Sequence, residues 1–219
     1  MKLPTVRGGS GPRFVRHTGT AAALLLADLE CGVIGTPVAG IQASVDPLPF
    51  ATLRVLPDGS RDPDFVLNRR PYRAASILVT GENFGAGTGA EHAARVLASA
   101  GIRVVFAPGF GAGFEAAAAA AGLLAATLPA DSVEELGEWS VVHAGQEMTV
   151  DLETERVERA GCEPVAICVH PRVRYKLRFG LTELDEILEH SAETMAFRQA
   201  DRDRRPWLYG SGGRVPGGG

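Results

Sequence analysis

The residues of this chain best suited to chemistry stand together in G-E-N-F-G-A-G-T-G-A-E-H, positions 81–92. Gly85, Gly87 and Gly89 let backbone come close to backbone or to a ligand, and Thr88 sets a hydroxyl among them. The loop leaves a β-rich run, S-I-L-V-T at 76–80, and enters E-H-A-A-R-V-L-A-S-A, whose Ala, Leu and Arg content favours helix. The first N–H groups of such a helix lack intrahelical partners and lie at the positive end of its dipole. Two readings stay open on these grounds: a loop that binds a carboxylate or phosphate, and a tight structural turn. A dinucleotide site is not indicated. The G-x-G-x-x-G spacing is missing, and so is an acidic residue about twenty positions on, at the end of the next strand.

The elements that must hold this loop alternate. An apolar stretch runs from Ala21 to Leu29, C-G-V-I-G turns, and Ala51 to Val55 reads as a strand. After the P-D-G-S-R-D-P-D loop at 57–64 come the strand 76–80, the loop and its helix, with Gly101 at the expected C′ position. I-R-V-V-F-A-P reads as a second buried strand stopped by Pro108, and G-F-E-A-A-A-A-A-A-G-L-L-A-A-T-L as a helix from about Phe114, interrupted at Gly122. Further strands are expected near 139–143, 147–151 and 164–169. A last amphipathic helix should begin at Thr182, where T-E-L-D-E supplies an N-cap and early acids. Strand, helix, strand, helix implies a parallel βαβ unit within an α/β fold, flanked by antiparallel or barrel-like strands. One folded domain is expected over 14–205, between a flexible tail at 1–13 and a Gly-rich tail at 206–219.

Composition removes several functions. A formal net charge of −4 gives no electrostatic reason for a nucleic-acid or acidic-membrane partner. No segment is apolar for long enough to span a bilayer, and a cytoplasmic location is expected. Cys31, Cys162 and Cys168 lack metal-ligand spacing, so neither a metal nor a disulfide framework is expected in this chain. Cys162 and Cys168 read as buried thiols.

The loop resembles the signature of the 3-isopropylmalate dehydratase small-subunit family, the counterpart of the swivelling last domain of aconitase. That signature reads roughly G-x-N-F-G-x-G-S-S-R-E-H-A, and Gly81, Asn83, Phe84, Gly85, Gly87, Glu91, His92 and Ala93 match in register. F-V-R-H-T-G at 14–19, D-P-D-F-V-L-N at 62–68, Y-x-x-A-S-I-L-V, G-I-R-V-V-F-A-P-G-F at 101–110 and F-G-L-T-E-L-D-E-I-L-E-H near 179–190 are similar to further family segments. The resemblance covers about residues 14–196. It implies a layered or barrel-like aconitase-type swivelling domain, and a hydro-lyase that isomerises a hydroxy di- or tricarboxylate. A separate large subunit would carry the 4Fe–4S cluster, in a heterodimer or heterotetramer, with no cofactor in this chain.

In the resemblance, the first Ser of S-S-R is the base and the Arg grips a substrate carboxylate. Here these positions are Thr88, Gly89 and Ala90. Thr88 keeps a hydroxyl and is the expected base. Asn83, Gly85, Gly87, Gly89 and Ala90 are the expected substrate-binding positions, and Glu91 and His92 the orienting ones. Ala90 carries no charge, which removes a contact typically worth a few kcal/mol. The early loop, V-D-T-D-x-I-I-P in relatives, is L-E-C-G-V-I-G-T at 29–36, and the substrate-recognising loop that follows, G-T-P-V-A-G-I at 35–41, has no charged residue. The helix that usually contains Asn has become Ala116–Ala121. These changes imply either a substrate smaller or less anionic than isopropylmalate, or a non-catalytic homologue that binds a partner or small anion. His170, Pro171 and the basic run Arg172, Arg174, Lys176 and Arg178 read as an amphipathic strand with one basic face.

Overall fold

The computed structural model describes residues 9–36, 48–182, 185 and 197–205. The chain divides into two compact units, Met1–Leu181 and Thr182–Gly219. Most of both expected tails, and most of the expected closing helix, lie outside the described residues. At that helix's start Thr182 does cap: its hydroxyl oxygen accepts the Asp185 N–H at 3.3 Å, and its own N–H and hydroxyl donate to the Asp185 carboxylate at 2.9 and 2.7 Å. Gly9 and Gly11, within the expected N-terminal tail, donate to the carbonyls of Phe179 and Gly180 at 3.0 and 2.9 Å.

Seven strands form one sheet in the order β4-β3-β2-β1-β5-β6-β7. β1 (Arg16–Leu24), β2 (Ile77–Thr80), β3 (Val104–Ala107) and β4 (Leu124–Thr127) run parallel, each beside the next. β5 (Glu147–Asp151), β6 (Arg156–Glu158) and β7 (Val165–Ala166) extend the sheet antiparallel from β1. Just beyond β7, Cys168 exchanges two backbone hydrogen bonds with Thr127 of β4, each 3.2 Å. The two edges of the sheet therefore meet at this bridge, and the sheet curls into the expected barrel-like form.

The two halves bury differently. In β2 and β3 successive residues enter opposite cores: Ile77, Val79, Val104 and Phe106 face one cluster, Leu78, Val105 and Ala107 the other. Strands covered on both faces must be apolar throughout, as parallel strands between helices are. In β5 only Met148 and Val150 join a core, while Glu147 is exposed and Thr149 and Asp151 are half-buried. The second cluster is covered by α1 (Cys31–Gly35), α3 (Ala90–Ser99) and α4 (Phe114–Ala120). The first takes Val133, Leu136 and Trp139 of α5 (Ala130–Val142) and Leu177 of α6 (Pro171–Phe179). The βαβ unit over β2, α3 and β3 is as expected, and Gly101 stands just past α3 at φ 89°.

Five sequence expectations are corrected. Residues 51–54 form a short helix, α2 (Ala51–Arg54), rather than a strand, because Phe50 in a left-handed conformation accepts the N–H groups of Leu53 and Arg54. The alanine helix stops at Gly122 (φ 74°), and L-A-A-T becomes β4. A strand buried on both faces is one unbroken apolar run and cannot be told from a helix by periodicity. Residues 139–142 end α5, where packing of Trp139 into the core outweighs the β-branched V-V pair. Residues 171–179 are α6: Pro171 sits at its first turn, the His170 side chain accepts the Arg172 N–H, and Gly180 closes it in the left-handed conformation. Its Arg174 and Arg178 pair with Glu155 and Glu153, both at 3.0 Å. Cys162 and Cys168 are also exposed, not buried; among the three cysteines only Cys31 is in the core.

Candidate functional site

The carboxyl ends of β1, β2 and β3 open on one side, the usual place for a ligand in a parallel sheet. Three loops meet there: 25–30 after β1, 81–89 after β2 and 108–113 after β3. The middle loop is pinned from both sides. Gly85 N–H donates to the Leu29 carbonyl at 2.7 Å, and Cys31 N–H donates back to Ala86 at 2.8 Å. On the other flank Phe84 N–H donates to Gly109 at 3.1 Å and Gly111 N–H to Phe84 at 2.9 Å. These are short parallel pairings, a continuation of the sheet beyond its strands.

Aromatic packing fixes the same segment. Phe84 meets Phe114 edge-on at 5.3 Å and Phe110 edge-on at 6.4 Å, and Phe110 stacks on Phe114 at 5.7 Å. Such contacts tie loop to loop without polar groups. Gly85 is required here by space: a Cβ would lie 2.3 Å from the Phe114 ring, and one on Gly111 would lie 2.3 Å from the Gly85 carbonyl oxygen. The Cys31 thiol donates to the Gly85 carbonyl at 3.0 Å, and burial pushes that thiol up, so it serves as a neutral donor.

The expected site residues fall into two groups. Asn83 adopts a left-handed conformation (φ 57°), and its amide donates to Asp28 Oδ1 at 2.7 Å. Asp28 N–H in turn donates to the Glu82 carbonyl at 2.9 Å. Asn83 and Gly85 thus hold the loop together. Gly87, Thr88 and Gly89 are exposed, and Ala90 is half-buried. No atom lies within 4 Å of where a Cβ on Gly87 or Gly89 would stand; what these two glycines provide is φ of 80° and 94°. Gly89, next to Thr88 in the chain, is the N-cap of α3 without a side-chain cap, so no cap side chain satisfies the first N–H groups of this ten-residue helix. Glu91 is exposed in the first turn of the helix. His92 Nε2 lies 3.1 Å from the Gly35 carbonyl and links α3 to the end of α1.

The electrostatics of the mouth are one-sided. The charged residues of 25–36, 81–92 and 108–114 are Asp28, Glu30, Glu82 and Glu91, with no Lys or Arg among them. The segment 37–47, most of the expected substrate-recognising loop, lies outside the described residues, and its sequence contains no Lys or Arg either. Within these segments positive potential comes from backbone N–H groups and the α3 dipole. Among the described residues there is no cluster of three or more His, Cys, Asp or Glu able to hold a metal ion, and no helix long and apolar enough to cross a membrane.

Residues 51–131 match the aconitase C-terminal domain family. The chain is 37% identical over 206 residues to the 3-isopropylmalate dehydratase small subunit of Cupriavidus necator, covering 91% of this chain and 99% of that protein. It is 38% identical over 159 residues to the subunit of the same name from Gluconobacter oxydans, covering 73% and 76%. The chain belongs to the 3-isopropylmalate dehydratase small-subunit family. A crystal structure of 3-isopropylmalate dehydratase from Methanocaldococcus jannaschii superposes with a TM-score of 0.57 at 19% identity, covering 83% of this chain and 98% of that one, and so shares the fold.

Two features of this small-subunit fold escaped the sequence reading. F-G-A-G occurs twice, at 84–87 after β2 and at 110–113 after β3, and the two copies are the loops that pair. That repeat was a usable signal. Asp28 as the partner of Asn83 had none, since the two stand 55 residues apart and only the fold joins them.

Proposed function

We propose that this chain works as the small subunit of a hydro-lyase, with Thr88 Oγ1 as the group that takes a proton from the substrate carbon next to a carboxylate. The observation that carries this reading is the placement of Thr88. Its hydroxyl stands exposed between two glycines that leave the approach open, at the uncapped start of α3, on a loop otherwise locked in place. Removal of that carbon-bound proton together with the hydroxyl of the neighbouring carbon releases water and leaves an alkene. Re-addition of water in the other orientation gives the isomer. N–H groups of the loop and of the first turn of α3 stabilise negative charge on the Thr88 oxygen and on the substrate carboxylate.

A larger subunit supplies the rest. The family implies a 4Fe–4S cluster, and the donor set here does not fit one: Cys31 is buried in a hydrogen bond, while Cys162 and Cys168 lie exposed in the segment around β7. The cluster belongs to that partner, in a cytoplasmic complex. Because the mouth holds four carboxylates and no Lys or Arg, the preferred substrate is a hydroxy acid with less negative charge or bulk than isopropylmalate, or one whose second carboxylate the partner binds.

The test is co-expression with the larger subunit, anaerobic cluster reconstitution, and an assay of hydration across isopropylmalate and maleate-type acids. Turnover with at least one acid is expected. A complex that forms and turns over none of them contradicts the proposal. Ala90→Arg should lower KM for a dicarboxylate by about tenfold or more, since one charge-assisted contact contributes about 1.5–3 kcal/mol. Ala90 is the position to change, because Gly89 at φ 94° would strain any side chain.

A further inference from the structure

An open groove of about 400 Å³ lies beside the glycine loop, at the carboxyl end of β1. Leu24, Leu25, Leu26, Leu53 and Phe65 give it an apolar wall, and Asp62 and Asp64 stand at its rim. Leu25 and Leu26 are 48% and 46% exposed, two adjacent large apolar residues left half in water. Among the described residues the acidic rim has no ion pair. Glu135, Glu153, Glu155 and Glu158 each meet an arginine. Asp62 Oδ1 accepts only the Asp64 N–H, at 2.9 Å, and neither Asp62 nor Asp64 has an ion pair among the described residues. The buried Arg54 nearby does not neutralise them, since its Nε and Nη2 donate to Asn68 Oδ1 and the Leu67 carbonyl at 3.0 and 3.1 Å.

The groove is continuous with the site. Leu26 backbone packs so closely on Gly81 that a Cβ there would lie 2.6 Å from the Leu26 carbonyl. Two residues on, Asp28 holds Asn83 and Glu82, and Cys31 then joins Ala86. One stretch, 24–31, is therefore groove wall at its start and loop clasp at its end.

We infer that this groove is where the larger, cluster-bearing subunit docks, through a segment that presents an aliphatic or aromatic side chain next to a Lys or Arg. The apolar side chain covers Leu25, Leu26 and Phe65, and the cation meets Asp62 and Asp64. This inference rests on the small-subunit reading above. It adds that assembly bears directly on the clasp that fixes the glycine loop, so that the site takes its working form beside a seated partner.

The test uses the full-length chain and the purified larger subunit, with affinity and salt dependence measured for wild type, Leu26→Asp and the pair Asp62→Lys, Asp64→Lys. Wild type should bind. Leu26→Asp should weaken binding by about tenfold or more at unchanged melting temperature. The lysine pair should slow association and flatten its salt dependence, and it serves as the second variant should Leu26→Asp fail to fold. If wild type does not bind the larger subunit at all, the small-subunit reading itself falls. If wild type binds and both variants keep its affinity, the groove is not the docking site and that reading stands. Self-association of wild type that both variants abolish would assign the groove to a second copy of this chain and overturn the inference.

Discussion

The first half of the glycine-rich loop and the second half are built on opposite principles. Residues 81–86 are held by six backbone hydrogen bonds to neighbouring loops, counting Asp28 to Glu82, Gly85 and Ala86 to Leu29, Cys31 to Ala86, Phe84 to Gly109 and Gly111 to Phe84. The aromatic cluster adds to them. Residues 87–89 have open space where a side chain on either glycine would be, an uncapped helix start and one hydroxyl. The glycines look alike in sequence and act differently: Gly85 is there because nothing larger fits, Gly87 and Gly89 because the chain must turn left-handed. The lesson is that one half of the loop is specified by packing and pairing, and the other by backbone conformation alone.

That contrast can be broken by substitution. Gly85→Ala forces a methyl into the Phe114 ring at φ 74° and should cost about 3 kcal/mol or more, read as a lower urea midpoint. Gly87→Ala meets no atom and should cost only about 1 kcal/mol, the strain of its positive φ. Equal losses at the two sites would erase the distinction. Asn83→Ala removes the bond to Asp28 and a residue that tolerates the left-handed conformation; about 1 kcal/mol is expected, smaller than at Gly85.

A smaller effect sits at the other end of the parallel strands. His17 Nε2 lies 2.7 Å from Ser76 Oγ; burial, then nearby Arg103, hold its pKa below the ordinary imidazole value, with Glu147 opposing. The unfolded chain binds this proton more readily than the folded one. Stability should therefore be full above about pH 6.5 and fall as pH drops through the lowered folded value. His17→Gln should flatten that slope in denaturation midpoints measured across the range, while leaving the glycine-loop comparison unchanged.

The sequence was most legible where local and tertiary demands agree. V-V-F-A with Pro108 after it, and the helix Ala90–Ser99 with Gly101 after it, could be placed because residue propensity and stop signals coincide. L-A-A-T could not, because Ala and Leu favour helix and only burial on both faces makes β4. The basic run at 172–178 misled in the reverse direction: its alternation suits a strand, but Pro171 and Gly180 bracket a helix whose arginines reach Glu153 and Glu155. At the site the residue types were readable, whereas the division between packed and open glycines depends on Phe114 and Gly111, far along the chain.

The central claim is that Thr88 does the chemistry and the preceding residues only hold it. The direct measurement is kcat of Thr88→Ala and Thr88→Ser in the reconstituted complex, with melting temperature recorded for each. Loss of at least about a hundredfold in kcat for Thr88→Ala, activity kept in Thr88→Ser, and unchanged melting in both are expected, as for a positioned proton-transfer group. Undiminished turnover in Thr88→Ala, in a complex that assembles normally, would contradict the account.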